Sequence, residues 1–308
     1  MRSAGFSLVE TLVALVLTLM VTGTAMALVM PASRVSQTQP EVMDVQQRAR
    51  VAAESIARDV ASAGAGIYAG PLRGVLTGST PAVLPRRLGA QSGDGPDVAR
   101  RSAITVLSVP ATASQTTTAA TISSGALALS VNAAPICGAA ALCGLLAGQD
   151  VIVKDATGHF DIFRITRIAG AVATLRHHGQ DLAWSYPAGS TVSQVISRTY
   201  DFDAAARQLR QYDGDQSDQP AVDHLAAVSF SYWGTGVLGS GLAELPLSTF
   251  TDGPWIGVGT TRFDTDLLRV RVIRVVVSSE SAVAALRSRV PAFPVLRDIS
   301  PRSLSVGR

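Results

Sequence analysis

The chain has 308 residues, of which 47% are hydrophobic, 16% charged and 5% aromatic, with 27 glycines and a net charge of +3. This length accommodates one membrane span and one moderately sized domain, and the composition favours a loop-rich β domain over a helical bundle. The basic residues are scattered rather than gathered into a stripe, which disfavours a nucleic-acid-binding protein, so no nucleic acid partner is expected.

The chain begins with a short basic leader, residues 1–5, that runs directly into an apolar segment, Phe6–Met30, whose only charge is Glu10. As a helix this segment is about 37 Å long, enough to cross a hydrocarbon core of about 30 Å. A carboxylate inside a membrane span costs ~2.5–3.5 kcal/mol, so a span that keeps one either pairs it or has no strong need to avoid it. The basic leader side chain, Arg2, favours a cytoplasmic N-terminus and an outward-facing remainder.

The sequence Gly5-Phe6-Ser7-Leu8-Val9-Glu10 and the apolar run after it resemble the class III signal of type IV prepilins and type II secretion pseudopilins. This resemblance implies that a prepilin peptidase cuts between Gly5 and Phe6 and N-methylates Phe6, leaving 303 residues (308 − 5). It also implies that Glu10 of one subunit neutralises the Phe6 amine of a neighbour, in a pair that sets register and recruitment. The alternatives are a secretory signal cut after Ala27 and a Glu10 tolerated at the membrane interface.

Two prolines, Pro31 and Pro40, bracket a polar stretch just outside the span. Proline removes a backbone donor and crowds the preceding helical turn. The sequence therefore predicts that the first helix bends or breaks in this stretch.

From Glu41 the pattern becomes amphipathic and predicts a stem helix within residues 31–66, stopped by Gly64-Ala65-Gly66. Two acid-first pairs, Asp44–Arg48 and Glu54–Arg58, have the i,i+4 spacing that favours ion pairs on its polar side. We expect the apolar stripe to pack on the protein's own sheet and also against neighbouring subunits. Its residues are Val42, Val45, Ala49, Ala52, Ile56 and Val60.

Residues 67–308 change character and predict a β-rich domain. The segment 67–101 predicts a long irregular excursion, the Thr/Ala-rich segment 114–124 a loop, and Asp201-Phe202-Asp203 a turn. Short apolar or alternating runs predict nine strands. They are Ile104–Val109, Ala126–Val131, Val151–Lys154, Phe160–Ile168, Ala171–Leu175, Val192–Tyr200, Gln208–Tyr212, Leu225–Trp233 and Leu267–Ser278.

The predicted fold class is therefore α+β, with a long N-terminal helix packed on an antiparallel sheet, which is similar to the pilin architecture. The chain also resembles minor pilins of the PilW type, related to J-type minor pseudopilins of type II secretion. The residues that carry this second resemblance are Gln46-Gln47-Arg48, Ile56-Ala57-Arg58-Asp59-Val60, Ala63-Gly64, Leu268–Val272 and Asp298–Arg302.

The resemblance implies a minor pilin that takes part in type IV pilus assembly, in a priming or tip complex. Its implied partners are other pilins or pseudopilins, the prepilin peptidase and the inner-membrane assembly platform. Its implied location is the bacterial inner membrane, with a periplasmic domain, and then the filament. The alternatives are a minor pseudopilin of type II secretion, a tip adhesin that binds through loops 67–101 and 238–266, and a membrane-anchored protein unrelated to filaments.

Other candidate sites are sparse. Cys137 and Cys143 predict a small-loop disulfide in an oxidising compartment, with free thiols or a metal as alternatives. Asp213, Asp215 and Asp218 form an oxygen-rich turn and are weak candidates for calcium ligands, because the spacing lacks a complete EF-hand pattern.

Enzyme motifs offer little support for a catalyst. The GxGxxG match over residues 234–239 predicts a glycine-rich loop rather than a dinucleotide site, because helix-breaking residues follow it. There is no HExxH or G-x-S-x-G motif, so the sequence favours a protein that is processed by an enzyme over one that is itself an enzyme.

Overall fold

The computed structural model describes residues 7–66, 81–89, 93–110, 115–132, 144–157, 159–169, 172–177, 182, 184–213, 218–235, 241–256 and 262–301. One long helix, α1 (Leu8–Ser62), comes first and is followed by strands and short 3-10 helices. The strands are β1 (Val83–Leu84), β2 (Ala103–Ser108), β3 (Gln115–Thr117), β4 (Ala128–Ser130), β5 (Asp150–Lys154), β6 (Phe160–Ala169), β7 (Val172–His177), β8 (Thr191–Gln194), β9 (Ile196–Asp203), β10 (Gln208–Tyr212), β11 (Asp218–Val222), β12 (Leu225–Thr235), β13 (Leu242–Leu245), β14 (Trp255–Ile256), β15 (Phe263–Asp264), β16 (Val270–Ser279) and β17 (Phe293–Ile299). The 3-10 helices are Leu247–Phe250, Thr265–Arg269 and Ala284–Leu286.

Helix α1 runs without interruption for 55 residues. The predicted break at Pro31 and Pro40 was therefore wrong, and the alternative, a bend in the same stretch, stays a prediction. An internal proline costs a helix about 3 kcal/mol. Because helix propagation is cooperative, long helical segments on both sides can offset this local cost, and the helix continues through the prolines.

The predicted end of the stem is confirmed. Gly64 and Gly66 both have a φ of 71°, in the left-handed region that favours glycine. The Gly64 N–H donates to the Leu107 carbonyl at 2.7 Å, and the Val109 N–H donates to the Ala65 carbonyl at 2.7 Å. The turn that ends the helix is thereby joined to β2.

Four antiparallel sheets make up the described part of the β domain. Their strand orders are β1-β2-β9-β10-β11, β13-β12-β16-β17, β3-β8-β5-β6-β7-β4 and β14-β15. The long N-terminal helix and the antiparallel sheets confirm the α+β fold class.

Two hydrophobic cores hold these layers together. The larger one joins α1 to the five-stranded and four-stranded sheets, with Ile56, Leu107, Phe230 and Val275 all fully buried. The smaller one lies on one face of the six-stranded sheet around Phe163. The helix contacts β16 and β17 most closely, so the four-stranded sheet is the main platform for the stem.

The nine predicted strands are all present; Gln208–Tyr212 has the predicted bounds and the others have shifted ends. The run Val192–Tyr200 divides into β8 and β9 at Val195, whose N–H instead donates to the Asp150 carbonyl at 2.9 Å. The turn predicted at residues 201–203 was wrong, because β9 continues to Asp203 and the reversal follows it, with Arg207 at a φ of 57°. Residues 265–269 form a 3-10 helix, so the last predicted strand begins only at Val270.

Two predicted irregular segments contain strands. The Thr/Ala-rich stretch includes β3, which pairs with β8, and the excursion 67–101 includes β1, which pairs with β2. These short strands have weak local patterns and form because a longer strand presents free backbone groups to them. Strands β11, β13, β14, β15 and β17 were also not predicted.

Candidate functional site

The first part of α1 is the candidate membrane segment. Over Leu8–Val29, 22 residues with a mean hydropathy of 2.4, no part of the helix is buried against the rest of the protein. It is the one segment of the described chain that is long and apolar enough to cross a membrane. The Thr18 hydroxyl donates to the Ala14 carbonyl and the Thr22 hydroxyl to the Thr18 carbonyl, both at 2.7 Å, so these polar groups are satisfied within the helix.

Glu10 lies in the first turn of this segment and is exposed. Among the described residues, none donates a hydrogen bond to its carboxylate or pairs with it. Negative charge is favourable near a helix N-terminus, but that interaction is worth only ~0.3–1 kcal/mol, less than the cost of placing the charge in lipid. The predicted processing residues Gly5 and Phe6 lie outside the described residues.

The stem stripe packs inward. Val42 is half-buried, and the other five predicted positions are at most 1% exposed. These five are Val45, Ala49, Ala52, Ile56 and Val60. Packing on the protein's own sheets is therefore confirmed. Packing against neighbouring subunits stays a prediction, and it requires the outer face of the stem, where Met43 is 65% and Val51 53% exposed.

A cluster of polar contacts attaches the stem to the domain. It is formed by Glu41 and Arg48 of the stem with residues 280–282 and is here called the junction. The Glu41 carboxylate accepts hydrogen bonds from the Ser281 hydroxyl at 2.8 Å and the Ala282 N–H at 2.7 Å. Arg48 pairs with Asp44, as predicted, and donates to the Glu280 carbonyl at 3.1 Å. The Ser281 hydrogen bond, aided by the Ala282 N–H and the charge of Arg48, lowers the pKa of Glu41.

Asp59 provides a second attachment near the end of the stem. It accepts a hydrogen bond from the Tyr200 hydroxyl at 2.6 Å and pairs with Arg198 at 2.8 Å. Burial, reinforced by the hydrogen bond to Asp59, raises the pKa of Tyr200, so the phenol stays protonated. The other predicted ion pair of the stem, Glu54 with Arg58, is not formed in the described part of the chain.

Sequence reasoning missed Glu41 and the role of Asp59 as attachments. The only local signal was a charged residue next to an apolar stripe, which is a common pattern on a surface helix. Their partners lie 139 to 241 residues away in the chain, so no spacing rule could identify them.

The weak calcium candidates lie beside arginines. The Asp213 carboxylate is 3.8 Å from an Arg164 nitrogen, and the Asp218 carboxylate is 3.1 Å from an Arg210 nitrogen. A positive neighbour opposes cation binding at these carboxylates, so the geometry adds no support for calcium. Asp215, Cys137 and Cys143 lie outside the described residues.

Another acidic group, Asp252, Asp264 and Asp266, has carboxylate oxygens within 4.8 Å of one another. The buried Asp264 carboxylate accepts hydrogen bonds from the Gly253 N–H at 2.6 Å and the Asp266 N–H at 2.9 Å. The arrangement serves as a cap for the 3-10 helix that follows.

The first glycine of the GxGxxG match has a structural reason. Gly234 lies in β12, and an added Cβ would meet the Arg269 carbonyl oxygen at 2.3 Å. Residues 242–245 then form a strand, where a dinucleotide site would need a helix.

No protein-family model matches the chain, and the curated proteins include no sequence that matches it. A functional conclusion therefore depends on the residues and geometry described above.

Proposed function

We propose that the protein is a minor pilin, which enters a type IV pilus as a priming or tip subunit after cleavage by a prepilin peptidase. The observation that carries the proposal is the division of α1 into two halves. The first part, Leu8–Val29, is apolar and exposed and bears one carboxylate that has no partner among the described residues, whereas the stem is packed on a β domain.

This division suits a subunit that is stored in a membrane and then transferred to a filament. In the membrane, lipid covers the 22-residue apolar segment. In a filament, the same surface of one subunit would be covered by the corresponding helices of its neighbours. The domain keeps its own core in both environments, because the stem residues that it buries are not part of the apolar segment.

Glu10 supplies the recognition step of the proposal. Cleavage after Gly5 would create a free amine on Phe6, four residues before Glu10 and at the same end of the segment. A carboxylate and an amine on adjacent subunits attract strongly in a low-dielectric bundle, but desolvation offsets much of that attraction. The pair therefore specifies how subunits align more than it stabilises them.

The experiment that tests processing is intact-mass measurement and N-terminal sequencing of the protein isolated from its native membrane. We expect a chain that begins at N-methylated Phe6. A chain that begins at Met1, or after Ala27, would contradict the proposal and favour an anchored or secreted protein.

The phenotype of a strain that lacks the gene distinguishes a type IV pilus from a type II secretion pseudopilus. Loss of surface pili with normal protein secretion would support the pilus assignment. Loss of secretion with normal piliation would instead assign the protein to a type II secretion pseudopilus.

A further inference from the structure

Strand β17 forms one edge of the four-stranded sheet, and within the described part of the chain no strand lies on its outer side. It has seven residues, whereas the other edge strands have two to five. Its ladder with β16 runs from Phe293 to Ile299 without a bulge. A long, regular edge presents unpaired main-chain groups to any other strand, and proteins often avoid one by bulges or by a covering segment.

The hydrogen bonds of β12 establish which residues of β17 bond inward. Phe230 of β12 lies opposite Val275 of β16, but its N–H donates to the Arg101 carbonyl at 2.7 Å, away from β16. Opposite residues in an antiparallel ladder either exchange both hydrogen bonds or none. Val275 therefore bonds to its other neighbour, which is Arg297 of β17.

Leu296 and Asp298, which flank Arg297, consequently direct their main-chain N–H and carbonyl groups away from the sheet. Pro294 belongs to the same outward set, where a proline is tolerated because its missing N–H takes nothing from the ladder. Among the residues that the structure describes, none bonds to these outward groups. Solvent or an added strand is therefore left to satisfy them.

The side chains of this edge leave it accessible. The Asp298 carboxylate is held over the sheet by Arg274, at 2.7 Å and 2.8 Å. Leu296 lies on the same face, beside Val276, and is 53% exposed. Arg297 lies on the opposite face, is exposed and forms no ion pair within the described chain. The edge thus offers an apolar position on one face and a free cation on the other.

We propose that the edge of β17 binds an extended segment of another protein, which joins the four-stranded sheet as a fifth, antiparallel strand. Main-chain hydrogen bonds supply affinity in this mode of recognition, and alternate side chains supply specificity. The partner would place an apolar residue opposite Leu296 and an acidic residue opposite Arg297. Because the strands are antiparallel, the acidic residue comes immediately before the apolar one. The site belongs to the β domain and does not depend on the proposed filament role.

A second copy of this chain is a poorer fit than a different protein. Antiparallel pairing of two β17 strands requires a two-fold axis perpendicular to them. The stem runs opposite to β16, because Ser281 bonds to Glu41 and Ser279 to the Val45 carbonyl. Such an axis would therefore direct the two apolar segments in opposite directions, and they could not enter one membrane from the same side.

The test uses the full-length, isotope-labelled protein in detergent micelles and the hexapeptide acetyl-KEVTVT-amide, whose second and third residues would lie opposite Arg297 and Leu296. We expect the peptide to slow amide hydrogen exchange at Leu296 and Asp298 about tenfold or more, because both N–H groups gain acceptors. The matched control, acetyl-KVETVT-amide, exchanges the acidic and apolar residues at constant composition. It should bind about threefold more weakly, because both cross-strand side-chain pairs are lost.

Three variants separate the main-chain from the side-chain contributions. Leu296→Pro removes an outward N–H without removing a bond to β16, and it should abolish binding while the unfolding midpoint shows that the protein still folds. Arg297→Ala keeps every main-chain group and should lower the affinity about threefold. The control Arg289→Ala removes an exposed arginine outside this edge and should leave the affinity unchanged.

Three results would overturn parts of the proposal. If neither amide exchanges more slowly up to the solubility limit of the peptide, the edge is not a binding site. Equal affinity for the two peptides would overturn the assigned order of side chains. Exchange that slows at both amides as the concentration of the protein alone rises would overturn the choice of a different protein and assign the edge to a second copy.

Discussion

The Glu41 carboxylate of the stem accepts a hydrogen bond from the Ser281 hydroxyl at 2.8 Å, although the two residues are 240 positions apart. Over Leu8–Val29 the helix is exposed, and from Val45 onward its inner face is buried. This contact therefore marks the point at which the free helix becomes part of the folded domain.

Replacement of Glu41 by alanine should destabilise the protein by about 1–2 kcal/mol, because the Ser281 hydroxyl and the Ala282 N–H lose their acceptor. The folded state lowers the pKa of Glu41, so its contribution is present above the unfolded-state value of 4.5 and is lost as the pH falls through the folded-state value. Thermal unfolding in detergent should show a difference between wild type and Glu41→Ala that narrows below pH 4.5. Glu41→Gln keeps an acceptor oxygen and should lose less stability than Glu41→Ala. A difference that stays constant with pH would contradict this account.

Two buried tyrosines should respond in opposite ways to loss of the hydroxyl. Tyr232 is fully buried, and its hydroxyl has no partner in the described structure, so Tyr232→Phe should be neutral or stabilising by up to about 1 kcal/mol. Tyr200→Phe removes the 2.6 Å hydrogen bond to Asp59 and should cost about 1–2 kcal/mol. Denaturant unfolding of both variants measures the contrast. A larger loss of stability in Tyr232→Phe than in Tyr200→Phe would refute this expected contrast.

Gly234→Ala should destabilise the protein by about 1–3 kcal/mol. The new methyl group would lie 2.3 Å from the Arg269 carbonyl oxygen, and this backbone is held by the pairing of β12 with β16. Gly23→Ala is the control, because nothing lies within 4 Å of an added Cβ there. Chemical unfolding of both variants gives the comparison. If Gly234→Ala unfolds like the wild type, the close approach is not what requires glycine.

Glu10→Ala should leave membrane insertion and cleavage intact and reduce the number of filaments about tenfold or more. An amine left unpaired in a low-dielectric bundle costs ~3–5 kcal/mol, which opposes incorporation of the next subunit. Immunoblots for the processed chain and electron microscopy of pili measure the two effects. The control is Glu54→Ala, which removes an exposed acid from the stem of the same helix. A strain with this variant should form a normal number of pili. Normal piliation in Glu10→Ala would refute the role of this carboxylate.

The local elements were largely predictable. The stem stripe repeats at helical spacing, and its inner residues from Val45 to Val60 are buried as that spacing predicts. In β16, the alternation of Ile273, Val275 and Val277 with half-buried residues follows the two-residue period of a strand. These patterns can be recognised in the sequence because the stem and β16 each bury one face against a core along their length.

The same rules failed where a neighbour decides the outcome. β3 has only three residues and lies in a stretch that resembles a loop, yet β8 provides its hydrogen-bonding partner. Pro31 and Pro40 are strong local signals for a break, but the helix on each side outweighs them.

By itself, then, the amino-acid sequence determined the apolar segment, the inward stripe of the stem and most of the long strands. Hydrophobic periodicity encodes these features, and it acts between residues that are close in the chain. The tertiary structure alone decided the junction at Glu41 and the attachment of Asp59 to Tyr200. Hydrogen bonds and close ion pairs act over a few ångströms in space. Their partners therefore depend on which residues the packing of the helix and sheets brings close together.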